Sequence, residues 1–304
     1  MLRYILSRFA QAVLVMFGAS LLIFYSLHLT GDPAAVMMPP GSSQQEIDNF
    51  RHAMGFDRPL LWQYGHYLTG LLHGDLGLSL RYDQPVTELI AQRVPATLLL
   101  AVSALAWSTV VGLLLGLVSA VWRNSVWDLL ARLFAFSGQA VPVFWLGLLM
   151  IIGFSLHLRW LPSSGYGTFS HLIMPTISLG AYYMSAIARL VRASLIDVLA
   201  QDYIRTAQAK GLSSWRILIR HGLRNALIPV VTVQGMYFAS LLGGALVTEI
   251  IFAWPGIGRL AVQAIQNRDF PLVQAIVLLA ALVFVVVNLI IDLLYVVLNP
   301  RIRL

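Results

Sequence analysis

The chain contains no cysteine. Disulfides and thiolate metal sites are therefore excluded, and the redox compartment is left undetermined. Lysine occurs once, as Lys210, preceded by Ala209. A phosphate-binding loop of the form G-x-x-x-x-G-K-[ST] needs a glycine there, so the chain cannot bind ATP by that route. H-E-x-x-H and G-x-S-x-G are both missing. The histidines outside the charged segment described below, His28, His52, His66, His73, His157 and His171, are scattered without metal-ligand spacing. A membrane-embedded enzyme fails for want of a paired nucleophile and base at helical spacing. Charge is also scarce, at 11% of residues against about 25% in an ordinary soluble domain.

Apolar sequence is what the chain has in quantity. Of its 304 residues 59% are hydrophobic, and the mean hydropathy is +0.78. A bilayer core of about 30 Å demands roughly 20 apolar residues of a helix. Six runs qualify, at 9–29, 96–122, 133–156, 172–190, 226–252 and 272–298. The expectation is an all-α integral membrane protein with six transmembrane helices and an outer-face segment between the first two. Arg3 and Arg8 precede the first run as they would in a signal peptide. The run is too long for one and no cleavage site follows, so an uncleaved span is expected. Residues 1–95 then form the first span plus a periplasmic segment, and 96–304 form a core of five spans.

Net charge is +7, and its placement orients the chain. With the N-terminus cytoplasmic, inner segments hold Arg3, Arg8, Arg123, Arg132, Arg189, Arg192, Arg205, Lys210, Arg216, Arg220, Arg224, Arg301 and Arg303. The two short outer loops hold Arg159, Arg259 and Arg268. This asymmetry predicts both termini inside. It also accounts for the basic balance without nucleic acid.

Between the first two spans, the Pro39-Pro40-Gly41 turn and the 44–54 stretch suggest a loop and then a short amphipathic helix. A second short helix is expected around 86–92. Trp62, Tyr64 and Tyr67 suit the headgroup level. Trp160-Leu161-Pro162 and Trp254-Pro255-Gly256 each pair an interfacial aromatic with a helix breaker. Both read as anchored turns, the second alternatively as part of a substrate mouth.

Gly112, Gly116 and Ala120 fall at steps of four, as do Gly235, Ala239 and Gly243. Small residues at that spacing share a helix face and let backbones approach in lipid, within the chain or at a subunit interface. Pro142, Pro175 and Pro229 mark kinks or first turns. Glu249 and Asp292 are ionisable residues inside spans and costly there. Each either reaches the interface or pairs with a basic neighbour; Glu249 alternatively lines the entry of a cationic substrate.

The charged segment DYIRTAQAKGLSSWRILIRHGLRNALIP, 202–229, is the most informative stretch. It reads as two short helices: Asp202 caps the first, Gly211 ends it in a left-handed turn, Ser213 caps the second, and Gly222 ends that. A compact basic helical pair between spans suggests a docking surface for a soluble partner.

Here the sequence resembles a known family. Arg205-Thr206-Ala207 with Gly211 following resembles the Glu-Ala-Ala…Gly loop of binding-protein-dependent ABC transporter permeases. RTAQAKG with RHGLRNALIP is similar to the dipeptide, oligopeptide and nickel branch. MLRYILSRF, the GDP at Gly31, MGFDRPLLWQY, HGDLGLSL, VPATLLL and EIIFAWPGIGRLAVQAIQNRDFP extend the likeness over the whole chain. The resemblance implies a type I ABC importer permease of the bacterial inner membrane, itself no enzyme and without a cofactor of its own. It implies a homologous second permease completing the pore, two cytoplasmic ATPases carrying ATP and Mg²⁺, a periplasmic binding protein, and surrounding lipid. The cargo it implies is di- or oligopeptide, with nickel or a metal chelate as the alternative. The family's coupling loop maps to 202–224. Ala207, Ala209 and Gly211 are small enough to settle into a partner groove, Leu212 and Trp215 supply apolar contact, and Arg205, Lys210, Arg216 and Arg220 supply rim charge. Arg205 and Arg224 stand where the wider family has glutamate and proline, so the loop's position carries over and its ion pairs do not. A stand-alone channel or secondary carrier is the reading from another class, and it has no evident use for such a helical pair.

Overall fold

A computed structural model of the protein describes residues 2–29, 32–39 and 41–298. Gly31, Pro40, Arg301 and Arg303 lie outside the described residues, as do the side chains of Arg3, His28 and Asp292. The described chain is helical apart from loops and one antiparallel bridge, Leu78 with Pro85. Its elements are α1 (Leu2–Leu29), α2 (Pro33–Met37), α3 (Gln44–Met54), α4 (Leu60–Leu72), α5 (Val86–Val121), α6 (Val126–Ala140) and α7 (Val143–Met150). α7 widens into a π-helix at Ile151–His157. Then come α8 (Phe169–Leu199), α9 (Asp202–Ala209), α10 (Ser214–Arg216), a π-helix at Ile217–Leu223, α11 (Arg224–Ala226), α12 (Ile228–Ile251), α13 (Ile257–Gln266) and α14 (Phe270–Leu298). Helices suit lipid because every backbone polar group is satisfied within the segment.

Among the described residues three helices are long and apolar enough to cross a membrane: α1 over Ser7–Ser26, α5, and α14 over Phe270–Ile290. Two bent pairs raise that to five if each is one span. The expected run 133–156 is one such pair. α6 and the helix from Val143 to His157 meet at 106°, because Pro142 holds Val141 in extended backbone and brings no N–H of its own. The other pair bends by 45° between 226 and 228, where Pro229 occupies the first turn of α12. α8 is 31 residues long with Pro175 inside it. Buried Thr176, Ser178 and Ser185 hold its hydropathy down, and it is not among the three.

The chain divides into two compact units. One is built mainly of Met1–Pro95 and Gly256–Ile290, the other mainly of Ala96–Pro255. In the first, the start of α5 (Val86, Leu89, Ile90) packs with Leu260 and Ala264 of α13 and Leu272, Ala275 and Ile276 of α14. Buried Asp269 caps α14 through Leu272 N. It also accepts from the Ser79 hydroxyl and, at 3.3 Å, from Arg81 N. The HGDLGLSL and NRDFP stretches thus meet at one carboxylate. The helix expected around 86–92 is not separate, since α5 runs on through Pro95. α3 spans the expected residues, with a capping box of Ser43 and Glu46 and a left-handed Gly55 behind it. Tyr64 and Tyr67 pack on Phe24 of α1, and the Tyr64 hydroxyl lies 2.9 Å from Ser20 Oγ.

In the second unit α8 is the axle. A Cβ on Gly112 would come within 2.9 Å of Ile187 Cβ and Met184 O, and one on Gly116 within 2.6 Å of Val191 Cβ. α6 makes the same approach through Gly138, 2.5 Å from Ala181 O. Gly180 of α8 returns it, 2.9 Å from Ala104 O of α5. The α5 stripe thus packs within the chain. The α12 stripe does so less: Gly235 and Ala239 are half-buried, Gly243 is exposed, and a Cβ on Gly243 would meet nothing within 4 Å.

Trp254 departs from the expected interfacial aromatic. It is buried, donates from Nε1 to Ala96 O at 2.8 Å, and meets Tyr166 edge-on at 4.8 Å. Trp160 is the exposed one of the pair. Glu249 is buried too and accepts from Thr97 Oγ1 at 2.7 Å.

Gly116→Val should cost about 3 kcal/mol, the upper end for overpacking, because the stiff Val191 branch and the Ala188 carbonyl, 2.7 Å away, stand in the way. Gly243→Ala should leave the isolated chain's stability unchanged. Thermal unfolding of the two variants in detergent checks the contrast.

Candidate functional site

The segment following α8 folds as a closed helical lever. Gln201, in extended backbone, precedes α9, and Asp202 lies in the first turn without a side-chain capping bond. Gly211, at φ +75°, turns the chain back. Ser213 holds the N-cap position of α10, again without a side-chain bond. Gly222 does not end the second helix as expected. It lies inside the π-helix, and a Cβ there would stand 3.2 Å from Leu195 Cδ1 and 3.3 Å from Leu199 Cδ2. Its role is close approach to α8, so its small size matters and its flexibility does not.

The lever has its own core. Ile204, Ala207 and Ile217 are buried together, with Leu212 against them. Asn225 Nδ2 donates to the Tyr203 hydroxyl at 2.9 Å and to His221 O at 3.1 Å, closing the pair on its open side. Behind it, Ala226 and Leu218 pack with Leu195 and Leu199 of α8 and Leu117 and Ala120 of α5. The lever is therefore fixed to the ends of two long helices.

Its other face is open. Trp215 is 68% exposed, and Arg205, Thr206, Ala209, Lys210, Gly211, Arg216 and Arg220 are exposed around it. Arg205 lies 3.4 Å from Asp202, with both side chains in solvent, a geometry that contributes little to stability. Of the residues singled out from sequence, Ala207 and Leu212 face inward. The rest form a surface with one large aromatic and several cations.

A second constellation was not foreseen. Asp128, fully buried at the start of α6, accepts from the Ser119 hydroxyl of α5, from Asn124 N at 3.0 Å and from Arg192 Nη2 of α8 at 3.3 Å. Arg132 Nε lies 3.0 Å from it. Arg192 Nε also reaches Ser119 Oγ at 2.9 Å. One carboxylate thereby ties three helices. Breaking such a tie is expensive because it strands buried charge. The local signal was Ser125 three residues before Asp128, an N-cap pattern that the structure uses. The partners on α5 and α8 leave no mark in sequence.

Comparison with known proteins agrees with this architecture. The family described as "Binding-protein-dependent transport system inner membrane component" matches residues 112–304, and its N-terminal companion matches 1–101. The chain belongs to this family: it is a permease subunit of an ABC importer, a non-catalytic, multi-pass inner-membrane component that binds no cofactor. Among its relatives is the glutathione transport system permease protein GsiC of Escherichia coli O6:H1, 44% identical over 100% of this chain and 99% of the relative. GsiC of Shigella dysenteriae serotype 1 is 43% identical over the same shares. Two solved structures share the fold, both with TM-score 0.54. An inward-facing MetNI methionine ABC transporter is 20% identical, covering 68% of this chain and 96% of that one. An amino acid ABC transporter with histidines is 18% identical, covering 71% and 95%.

Tyr203→Phe removes the hydroxyl that Asn225 reaches, at a cost of about 1 kcal/mol. Hydrogen exchange should speed up across 202–226 and stay unchanged in α5 and α8.

Proposed function

We propose that this chain forms half of the translocation pore of a peptide importer and is driven through the lever at 202–226. A homologous permease supplies the other half. Two ATPase subunits, which carry the ATP and Mg²⁺, each grip one lever, and a periplasmic binding protein delivers the cargo. The single observation that supports this most is the lever itself: exposed Trp215 and its ring of cations on one face, and rigid packing to α8 and α5 on the other. A chain with no ATP site of its own gains force only through such a joint.

Counting each bent pair as one span and adding α8 gives six crossings, with both termini cytoplasmic by the positive-inside asymmetry. Residues 30–95 then lie on the periplasmic side, and 96–304 form the core with the coupling loop at 202–224. Short peptides are the favoured cargo, since the relatives transport glutathione, itself a tripeptide. That also favours peptide over nickel. Arg205, Thr206, Ala209, Lys210, Gly211 and Trp215 make the ATPase contact, while Ala207 and Leu212 hold its shape. Trp215 is the anchor, as a large aromatic at the centre of an interface tends to be. Arg205, Lys210, Arg216 and Arg220 steer encounter from the rim. Glu249, enclosed with Thr97, acts as a packing group in this conformation; lining the route would require α12 and α5 to part. Gly235, Ala239 and Gly243 offer the second permease a surface of small residues.

Trp215→Ala should weaken ATPase association by about 2 kcal/mol, roughly 30-fold. Peptide uptake should fall with it and membrane insertion should stay normal. Full uptake with undiminished ATPase co-purification would remove the lever from the mechanism.

A further inference from the structure

We propose that a groove between α5, α6 and α8 is a binding site for one anionic phospholipid. The groove has a volume of about 400 Å³, within the range of small-ligand sites. Leu115, Ala135 and Phe136 contribute apolar wall, and Arg132, Arg189 and Arg192 line it as well. An acyl chain needs apolar wall and a lipid phosphate needs the guanidiniums, so the two kinds of lining belong to one molecule.

The charge balance calls for an anion. Asp128 is the carboxylate beside the groove, and its oxygens are already engaged by Ser119, Asn124 N, Arg192 and Arg132. Arg132 meets it through Nε, which leaves the terminal nitrogens of a half-exposed guanidinium for another partner. Arg189 is exposed, and among the described residues it has no ion pair. Guanidinium groups bind phosphate through paired, charge-assisted hydrogen bonds. Basic pockets between membrane helices take acidic headgroups on the same grounds.

Depth agrees with this occupant. Trp122 and Trp127, at the turn joining α5 to α6, are 52% and 62% exposed, and exposed tryptophan marks the headgroup level. Arg132 follows Trp127 by little more than one helical turn. Beyond it, Leu133 and Phe136 of α6 are exposed and continue the apolar surface along which a lipid tail would lie. A free phosphate or nucleotide would leave that wall unused. The inference rests on the inner-membrane family assignment and is independent of the lever's role. Its consequence is that an anionic lipid braces the three helices that Asp128 ties, close to where the lever is attached.

The test uses the assembled transporter containing this chain, purified into nanodiscs of phosphatidylcholine with or without phosphatidylglycerol. Native mass spectrometry after mild delipidation reads the lipid retained. The wild type should keep one phosphatidylglycerol per copy of this chain in preference to phosphatidylcholine. Arg189→Gln, which leaves the Asp128 network intact, should lower its retention at least ten-fold. Leu115→Trp, which fills the groove and keeps every guanidinium, should do the same. Equal retention in both variants, or equal retention of phosphatidylcholine and phosphatidylglycerol by the wild type, overturns the proposal. So does a photo-crosslinker at Phe136 that captures a neighbouring subunit instead of lipid.

Discussion

The approach of two helix backbones, α5 and α6, to α8 is the constraint on which the second unit depends. In lipid no hydrophobic force draws helices together, so close contact comes from small residues and the dispersion they permit. Gly112 and Gly116 of α5 and Gly138 of α6 place their Cα atoms where any side chain would strike the α8 backbone or its branched residues. α8 itself joins in through Gly180 and buries Thr176, Ser178 and Ser185. The helix that gains most from packing is accordingly the least apolar of the long ones. The lever follows α8 after a short turn and packs back on its Leu195 and Leu199.

Electrostatics reinforce the same three helices. Asp128 joins α6 to α5 through Ser119 and to α8 through Arg192. A cluster of this kind contributes specificity of arrangement more than net stability, because desolvating its charges offsets most of the attraction. Together with the glycine contacts it makes α5, α6 and α8 a single body at the end that carries the lever. Asp269 plays a comparable part in the first unit, where one buried carboxylate fixes both the loop before α5 and the start of α14.

Features decided within a few neighbouring residues were legible in the sequence. α3 was, because Ser43 and Glu46 satisfy each other's backbone three residues apart. So was the left-handed turn at Gly211, and so was the stripe of small residues on α5. Features decided by distant partners were not. Gly222 looks like a terminator, but its size serves a contact with Leu195 and Leu199. Trp254 looks interfacial, but the carbonyl of Ala96 draws it inward. The kink at Pro142 is local and legible, but its size, 106° within the run 133–156, is not. For the site, the exposed members of the lever were legible as a basic, aromatic surface. The inward turn of Ala207 and Leu212 followed only from the packing of α9 against the second helix.

The central claim is that the lever moves as a rigid piece with α8. Because the chain has no cysteine, spin labels can be placed in pairs among Gln208, Arg220 and Asp197 without background from the chain itself. Pulsed dipolar distances among the three should be equal, in mean and in width, between the nucleotide-free and ATP-bound transporter. A broadened or shifted Asp197-to-Arg220 distance on ATP binding would show the joint bending instead of transmitting, and would contradict the account.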